Sequence, residues 1–331
     1  METNNNSSIN TGQNGDRQAE TTFRLKGAYG NLPFLRNPGL GIATLFGSFV
    51  VMMVLVSIGL GIVMYLSGGA EGTVSAKAMR IATVIQDICV FIAPAIIAAV
   101  VVTRLPADLL TINVKPNLKV MTLAMIVLLT SMPVMDFIIS INQSIPLPEG
   151  IEKILQSLED NANSAIQQLA GESTVGNLIM GILIIGILTG ISEELFFRGA
   201  MQNLFMSTKM RKHLCVWLTA VIFSFMHFQF YGFVPRILLG AYFGYLIWWS
   251  GSVWVPIVCH AFNNSLVVVA QWMADRSGEA MEEGREISTY MATDYFTIAL
   301  SAVVTTLGII ILYRNTHKTD QRAFPAQDKT M

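Results

Sequence analysis

Six polar side chains stand inside long apolar runs in the second half of the chain, and their types are those of acid–base chemistry. They are Glu193, Glu194 and Arg198 in GILTGISEELFFRGAM, His227 in VIFSFMHF, and His260 and Asn264 in PIVCHAFNNS. Carboxylates and imidazoles accept and donate protons. A carboxamide or an imidazole N–H holds a developing negative charge on oxygen.

Spacing sorts these groups into roles. At about 100° per residue, Glu194 and Arg198 share one helix face, the geometry of an ion pair. Glu193 then points elsewhere. A carboxylate neutralised by arginine is a poor base, whereas an unpaired one in apolar surroundings is a useful one, so Glu193 is the expected base. Phe223 precedes His227 by one turn, which packs a phenyl ring against the imidazole. His260 and Asn264 are also one turn apart and project into one space.

The elements that must position these groups are membrane helices. Of 331 residues, 53% are apolar and 13% charged, against roughly a quarter charged in soluble domains. About 20 helical residues cross about 30 Å of hydrocarbon. Runs of that kind recur at Leu40–Leu66, Ile81–Val102, Val120–Ile141, Val253–Met273 and Tyr295–Tyr313, with shorter or charge-interrupted ones at Leu178–Met201, Leu214–Phe228 and Phe233–Trp249. The fold class expected is all-α, a polytopic membrane helix bundle of about eight transmembrane helices. A charge at mid-bilayer costs about 2.5–3.5 kcal/mol, so a buried charged residue defaults to a functional candidate. With a net charge of −1 and no long basic run, a nucleic-acid surface is excluded.

Residues 1–38 read as a disordered polar tail with a juxtamembrane segment. Residues 39–175 read as N-terminal spans with an outer amphipathic loop, and 176–271 as the catalytic core. Residues 272–315 hold an acidic outer loop and the last span, and 316–331 a polar tail. No secretory signal is expected at the N-terminus, since the first apolar run begins only near Leu40. Arg17, Arg24, Lys26 and Arg36, then Arg104, Lys115 and Lys119, then Lys209, Arg211 and Lys212, then Arg314, Lys318, Arg322 and Lys329 all fall on one side. Cytoplasmic loops carry such an excess, so both termini should be cytoplasmic. On the other side, Ile151, Ile154, Leu155, Leu158, Ile166 and Leu169 fall near helical spacing, as in a short helix on the bilayer surface or against protein.

Blander readings suit other residues. Cys89, Cys215 and Cys259 read as small core residues. His213 and His317 read as surface residues. Gly240 and Gly244 form a small-xxx-small packing face, Arg236 a snorkelling cation, and Trp248, Trp249 and Trp254 an aromatic belt. Depth counted along the helices puts Glu193, His227 and His260 between the inner face and the midplane, provided that three spans are neighbours.

Taken in order, Glu193-Glu194-xxx-Arg198, Phe223-xxx-His227 and His260-xxx-Asn264 resemble the motifs of the CPBP family of intramembrane proteases. That family groups CAAX prenyl endopeptidases with bacteriocin-processing and immunity-type ("Abi") bacterial proteins. The resemblance covers about Leu178–Ala270. It implies an intramembrane endopeptidase that acts on a membrane-associated protein or peptide within the lipid bilayer of a bacterial inner membrane, from a cavity open towards the cytoplasm. Carried over by position, Glu193 with His227 activates water, His260 with Asn264 stabilises the oxyanion, and Glu194, Arg198 and Phe223 support the site or place the substrate. The metalloprotease label sometimes given to the family leaves zinc open, on Glu193, His227 and His260, although no HExxH helix is present. A non-catalytic scaffold or immunity factor is the rival reading, followed by a proton-coupled transporter.

Overall fold

In the computed structural model of the protein, the described residues, 37–66, 75–277 and 294–316, are helical apart from short connections, with no strand among them. The polar N-terminal residues 1–36, residues 278–293 of the acidic loop and residues 317–331 of the C-terminal tail lie outside the described residues. The long helices are α1 (Pro38–Leu66), α2 (Ala76–Val102), α3 (Leu118–Gln143), α4 (Glu149–Ala170), α5 (Val175–Met206), α6 (Lys212–Phe225), α7 (Phe233–Ser250), α8 (Trp254–Ser277) and α9 (Tyr295–Thr316).

Six of these, α1, α2, α3, α5, α8 and α9, are long and apolar enough to cross a membrane. The remaining two expected spans form an antiparallel hairpin, α6–α7. At 14 residues α6 is about 21 Å long, short of the hydrocarbon thickness. Apolar side chains on the outer faces of α1 and α9, such as Val51, Leu55, Val303 and Leu307, are exposed, as lipid-facing positions must be.

Local signals start and stop the helices. Pro38 opens α1, where a missing N–H costs nothing. The Asn117 side chain accepts from the backbone N–H groups of Lys119 and Val120 at 3.0 and 3.5 Å at the head of α3, and Thr174 caps α5 through Asn177 N at 3.2 Å. Gly251, at φ 69°, ends α7 in a left-handed turn that suits glycine and starts α8 at once. Inside α3, Pro133 interrupts the ladder. The Ser301 hydroxyl of α9 fills the gap, donating to Thr130 O at 2.5 Å and accepting from Val134 N at 3.3 Å.

Two apolar cores flank α5. One joins α1, α2, α5 and α6 around Leu45, Phe196, Phe197 and Phe223. The other joins α3, α7, α8 and α9 around Leu128, Phe243, Leu246 and Leu312. Alternation of the chain gathers the loops with Arg104, Lys115, Lys119, Lys209 and Arg211 at one end of the bundle. The amphipathic α4 lies at the other, held there by Arg80, whose guanidinium donates to Leu169 O at 2.9 Å and Asn177 Oδ1 at 3.0 Å.

Candidate active site

The motif helix α5 changes its winding around the site. Ile182–Leu188 and Leu195–Gln202 are wide π-helical turns, and between them runs a six-residue α-helical segment, Thr189–Glu194. Such turns rotate the residues beyond them and recur at functional sites. Antiparallel to α5 runs α8, close enough that a Cβ added to Gly190 would lie 2.9 Å from Ala261 N and 3.1 Å from Ala261 Cα. Only glycine admits that approach, and it brings His260 level with the two glutamates.

Glu194 and Arg198 form the anticipated pair. Arg198 Nη1 donates to Glu194 Oε1 at 2.6 Å, with both side chains fully buried. The same oxygen accepts from His260 Nδ1 at 2.7 Å. A carboxylate paired with arginine accepts, so Nδ1 carries the proton and Nε2 is the nitrogen turned towards Glu193. Glu193 Oε2 lies 3.7 Å from that Nε2, beyond direct hydrogen-bond range but within reach of a shared water or substrate oxygen. One imidazole therefore stands between two adjacent carboxylates.

Arg198 makes further contacts through Nη2 and its planar face. Its Nη2 donates to Gly240 O at 3.1 Å, and its guanidinium carbon lies 4.4 Å from the Phe223 ring centroid and 5.5 Å from that of Phe243. One turn on, Gln202 Nε2 donates to Gly244 O at 2.9 Å. The glycines thus do more than let helices approach: they leave two α7 carbonyls open to side chains from α5.

Phe223 sits at the centre of the cluster. It meets His227 edge-on at 4.9 Å and His260 edge-on at 5.9 Å, while Phe243 stacks on His260 at 5.1 Å. His227 lies just past the end of α6. Its Nδ1 is 2.8 Å from Phe223 O, an acceptor only, so Nδ1–H donates and Nε2 is left for other partners. The next residue, Phe228, is held at φ 54°, a conformation that bulky residues rarely adopt and that strained turns at functional sites exhibit.

Several elements pin this turn. Asn142 Nδ2 donates to Phe230 O at 2.7 Å and Tyr231 O at 2.8 Å. Ser224 Oγ donates to Phe233 O at 2.7 Å. Gln229 bridges Glu159 of α4 at 3.1 Å and Arg236 at 2.9 Å. Arg236 therefore braces the His227 turn, a role the snorkelling expectation did not anticipate, and α4 packs on protein along this side.

These contacts revise the expected partnerships. The described contacts of Glu193 run to His260, and Phe223 stands between His260 and His227. Asn264 donates to Ile185 O in the first π turn at 3.3 Å. His227 and Asn264 lie about one turn nearer to the α4 end than His260 and Glu193, so the site extends along the bundle axis. Exposure increases in the same direction. Arg198, Glu194 and Gln202 are fully buried, Glu193 is 9% exposed, and His227 and Asn264 are half-buried.

Three site residues escaped the sequence reading: Asp87, Thr189 and Ser192. Asp87 of α2, 1% exposed, accepts from Thr189 Oγ1 at 2.9 Å, and the Ser192 hydroxyl is also within its hydrogen-bonding reach. An aspartate in the apolar run VIQDICVF was the available signal. For zinc, Glu193, His227 and His260 do not gather as a ligand set, and no group of three His, Cys, Asp or Glu among the described residues is arranged to hold an ion. His260 Nδ1 is already committed to Glu194.

Residues 175–266, which run from the start of α5 into α8 and include every motif residue, match the family described as Rce1-like, type II CAAX prenyl endopeptidase. The match covers less than a third of the chain and supports its resemblance to CPBP-family intramembrane proteases. No curated protein and no solved structure matches the chain. The matched segment fills the middle of the bundle, and α1–α3 and α9 wrap it on both sides.

Proposed function

We propose that this integral membrane protein is an endopeptidase that hydrolyses a peptide bond of a membrane-associated protein or peptide with water activated by Glu193. One observation carries the reading: of two neighbouring buried carboxylates, Glu194 is committed to Arg198 and His260, whereas Glu193 faces the outer nitrogen of the same imidazole across 3.7 Å. A base and an imidazole of fixed orientation thus border one small space.

In the reaction, Glu193 takes a proton from water as the water oxygen bonds to the scissile carbonyl carbon. His260, which donates there only with a second proton on Nε2 while its Nδ1–H stays on Glu194, and Asn264, one turn beyond, are the donors assigned to the resulting oxyanion. Collapse breaks the C–N bond, and the proton held by Glu193 passes to the leaving amine. His227, oriented by its bond to the Phe223 carbonyl, lies one turn towards the α4 end, on the other side of the Phe223 ring from His260. A base contributes about 10²–10⁴ in rate and an oxyanion donor about 10²–10³. No step is routed through a metal.

The exposure gradient supports entry from the α4 end. Basic loops at the opposite end support cytoplasmic termini, which would bring substrate from the outer face. The cytoplasmic access implied by the family needs the reverse insertion. Comparing membrane proteomes from cells with wild-type and Glu193→Gln protein identifies the cleaved sequence, and a quenched fluorescent peptide carrying it measures turnover. Loss of about 10² or more in kcat is expected for Glu193→Gln; unchanged cleavage would return the protein to the non-catalytic scaffold reading.

A further inference from the structure

The α-helical segment that carries Glu193 and Glu194 is only six residues long and lies between two π-helical turns. A wide turn shifts the angular register of the residues beyond it, so the direction in which Glu193 points depends on the contacts that hold this segment from outside. Gly190 against Ala261 holds one face. On another, Thr189 and Ser192 meet Asp87, which opens a π-helical turn of its own in α2, Asp87–Ile92. Thr189 Oγ1 donates to Asp87 Oδ2 at 2.9 Å and also contacts Ile184 O at 3.1 Å, while Ser192 Oγ lies 3.0 Å from Thr189 O. Ser192 immediately precedes Glu193.

Asp87 is an expensive residue to keep there. It is 1% exposed in the middle of a membrane helix, where an aspartate costs about 2.5–3.5 kcal/mol, and no salt bridge to it is found among the described residues. The Thr189 hydroxyl is its donor, with the Ser192 hydroxyl beside it, and both belong to the turn that aims the base. Resting on the reading of the protein as a glutamate-dependent protease, we propose that Asp87 is a positioning residue for Glu193: through Thr189 and Ser192 it fixes the rotation of the motif segment so that the Glu193 carboxylate faces His260.

The test uses the purified full-length protein and the quenched fluorescent peptide, with kcat and KM measured separately. Asp87→Ala and Thr189→Val should each lower kcat by about 10- to 10²-fold, the scale of a misplaced catalytic group, with KM changed less than about twofold. Thr189→Ser, which keeps the hydroxyl, should restore kcat. The Asp87→Ala/Thr189→Val double variant should be no slower than the worse single, as expected for residues acting through one contact. Wild-type kcat for Thr189→Val, or losses that multiply in the double variant, would overturn the proposal. Should Asp87→Ala fail to fold, the comparison of Thr189→Val with Thr189→Ser decides. Glu193→Gln run alongside separates the two readings: full cleavage by that variant removes the protease reading itself, whereas an inactive Glu193→Gln beside a fully active Thr189→Val removes only the role of Asp87.

Discussion

The Oε1 atom of Glu194 lies 2.7 Å from Nδ1 of His260 and 2.6 Å from Nη1 of Arg198. A single carboxylate oxygen therefore fixes both the tautomer of the imidazole on α8 and the position of a fully buried guanidinium on α5. The neighbouring Glu193 is left at the other side of the same ring.

This relationship makes Arg198 a structural keystone. Arg198→Met should destabilise the protein by about 3–5 kcal/mol, because Glu194 would remain buried without its countercharge. Adding Glu194→Gln should recover part of the loss. Denaturant unfolding of the two variants in detergent measures the difference; a double variant as unstable as the sum of its singles contradicts the account.

The α5–α8 approach should be equally intolerant. Gly190→Ala places a methyl against the Ala261 backbone, where no side chain can yield, and should cost about 1–3 kcal/mol together with most of the turnover. Gly59→Ala, where an added Cβ meets nothing within 4 Å, should leave both unchanged. Thermal unfolding and peptide turnover on the two variants check this.

Asn142 holds two carbonyls of the turn that carries His227. Asn142→Leu should cost about 1–3 kcal/mol for the acceptors left unsatisfied and should reduce kcat more than it raises KM. His227→Ala should abolish turnover without that loss of stability. Equal effects of the two substitutions on stability would count against the pinning role.

Chelation should leave turnover intact. Glu193, His227 and His260 do not form a ligand set, and His260 spends one nitrogen on Glu194. Elemental analysis before and after dialysis against a chelator, with turnover measured on both samples, checks this. Stoichiometric zinc lost together with activity would be the contrary result.

The direction of access can be read by labelling. In a background with the native cysteines replaced, Phe228→Cys at the exposed α4 end and Thr208→Cys at the basic end should react with a membrane-impermeant maleimide from opposite faces of the membrane. Cytoplasmic termini place Thr208→Cys on the cytoplasmic face. Labelling of both from one face would refute the arrangement of the bundle.

Much of this was legible in the sequence because it depends on local pattern. Apolar runs long enough for hydrocarbon located the helices, and an interval of four residues was enough to pair Glu194 with Arg198 and to pack Phe223 against His227. The sequence by itself also marked Glu193 as the carboxylate left over from that pairing. The tertiary structure decided which imidazole faces it: His260, because the missing side chain of Gly190 lets α8 close on α5, with Phe223 between His260 and His227. It also revealed Asp87, whose partners Thr189 and Ser192 lie about a hundred residues further along the chain, and it turned Arg236 from a cation snorkelling to the interface into a brace for the His227 turn. Periodicity reports which residues share a face of one helix; which faces of different helices meet is set by packing between elements far apart in sequence, and no local spacing encodes it.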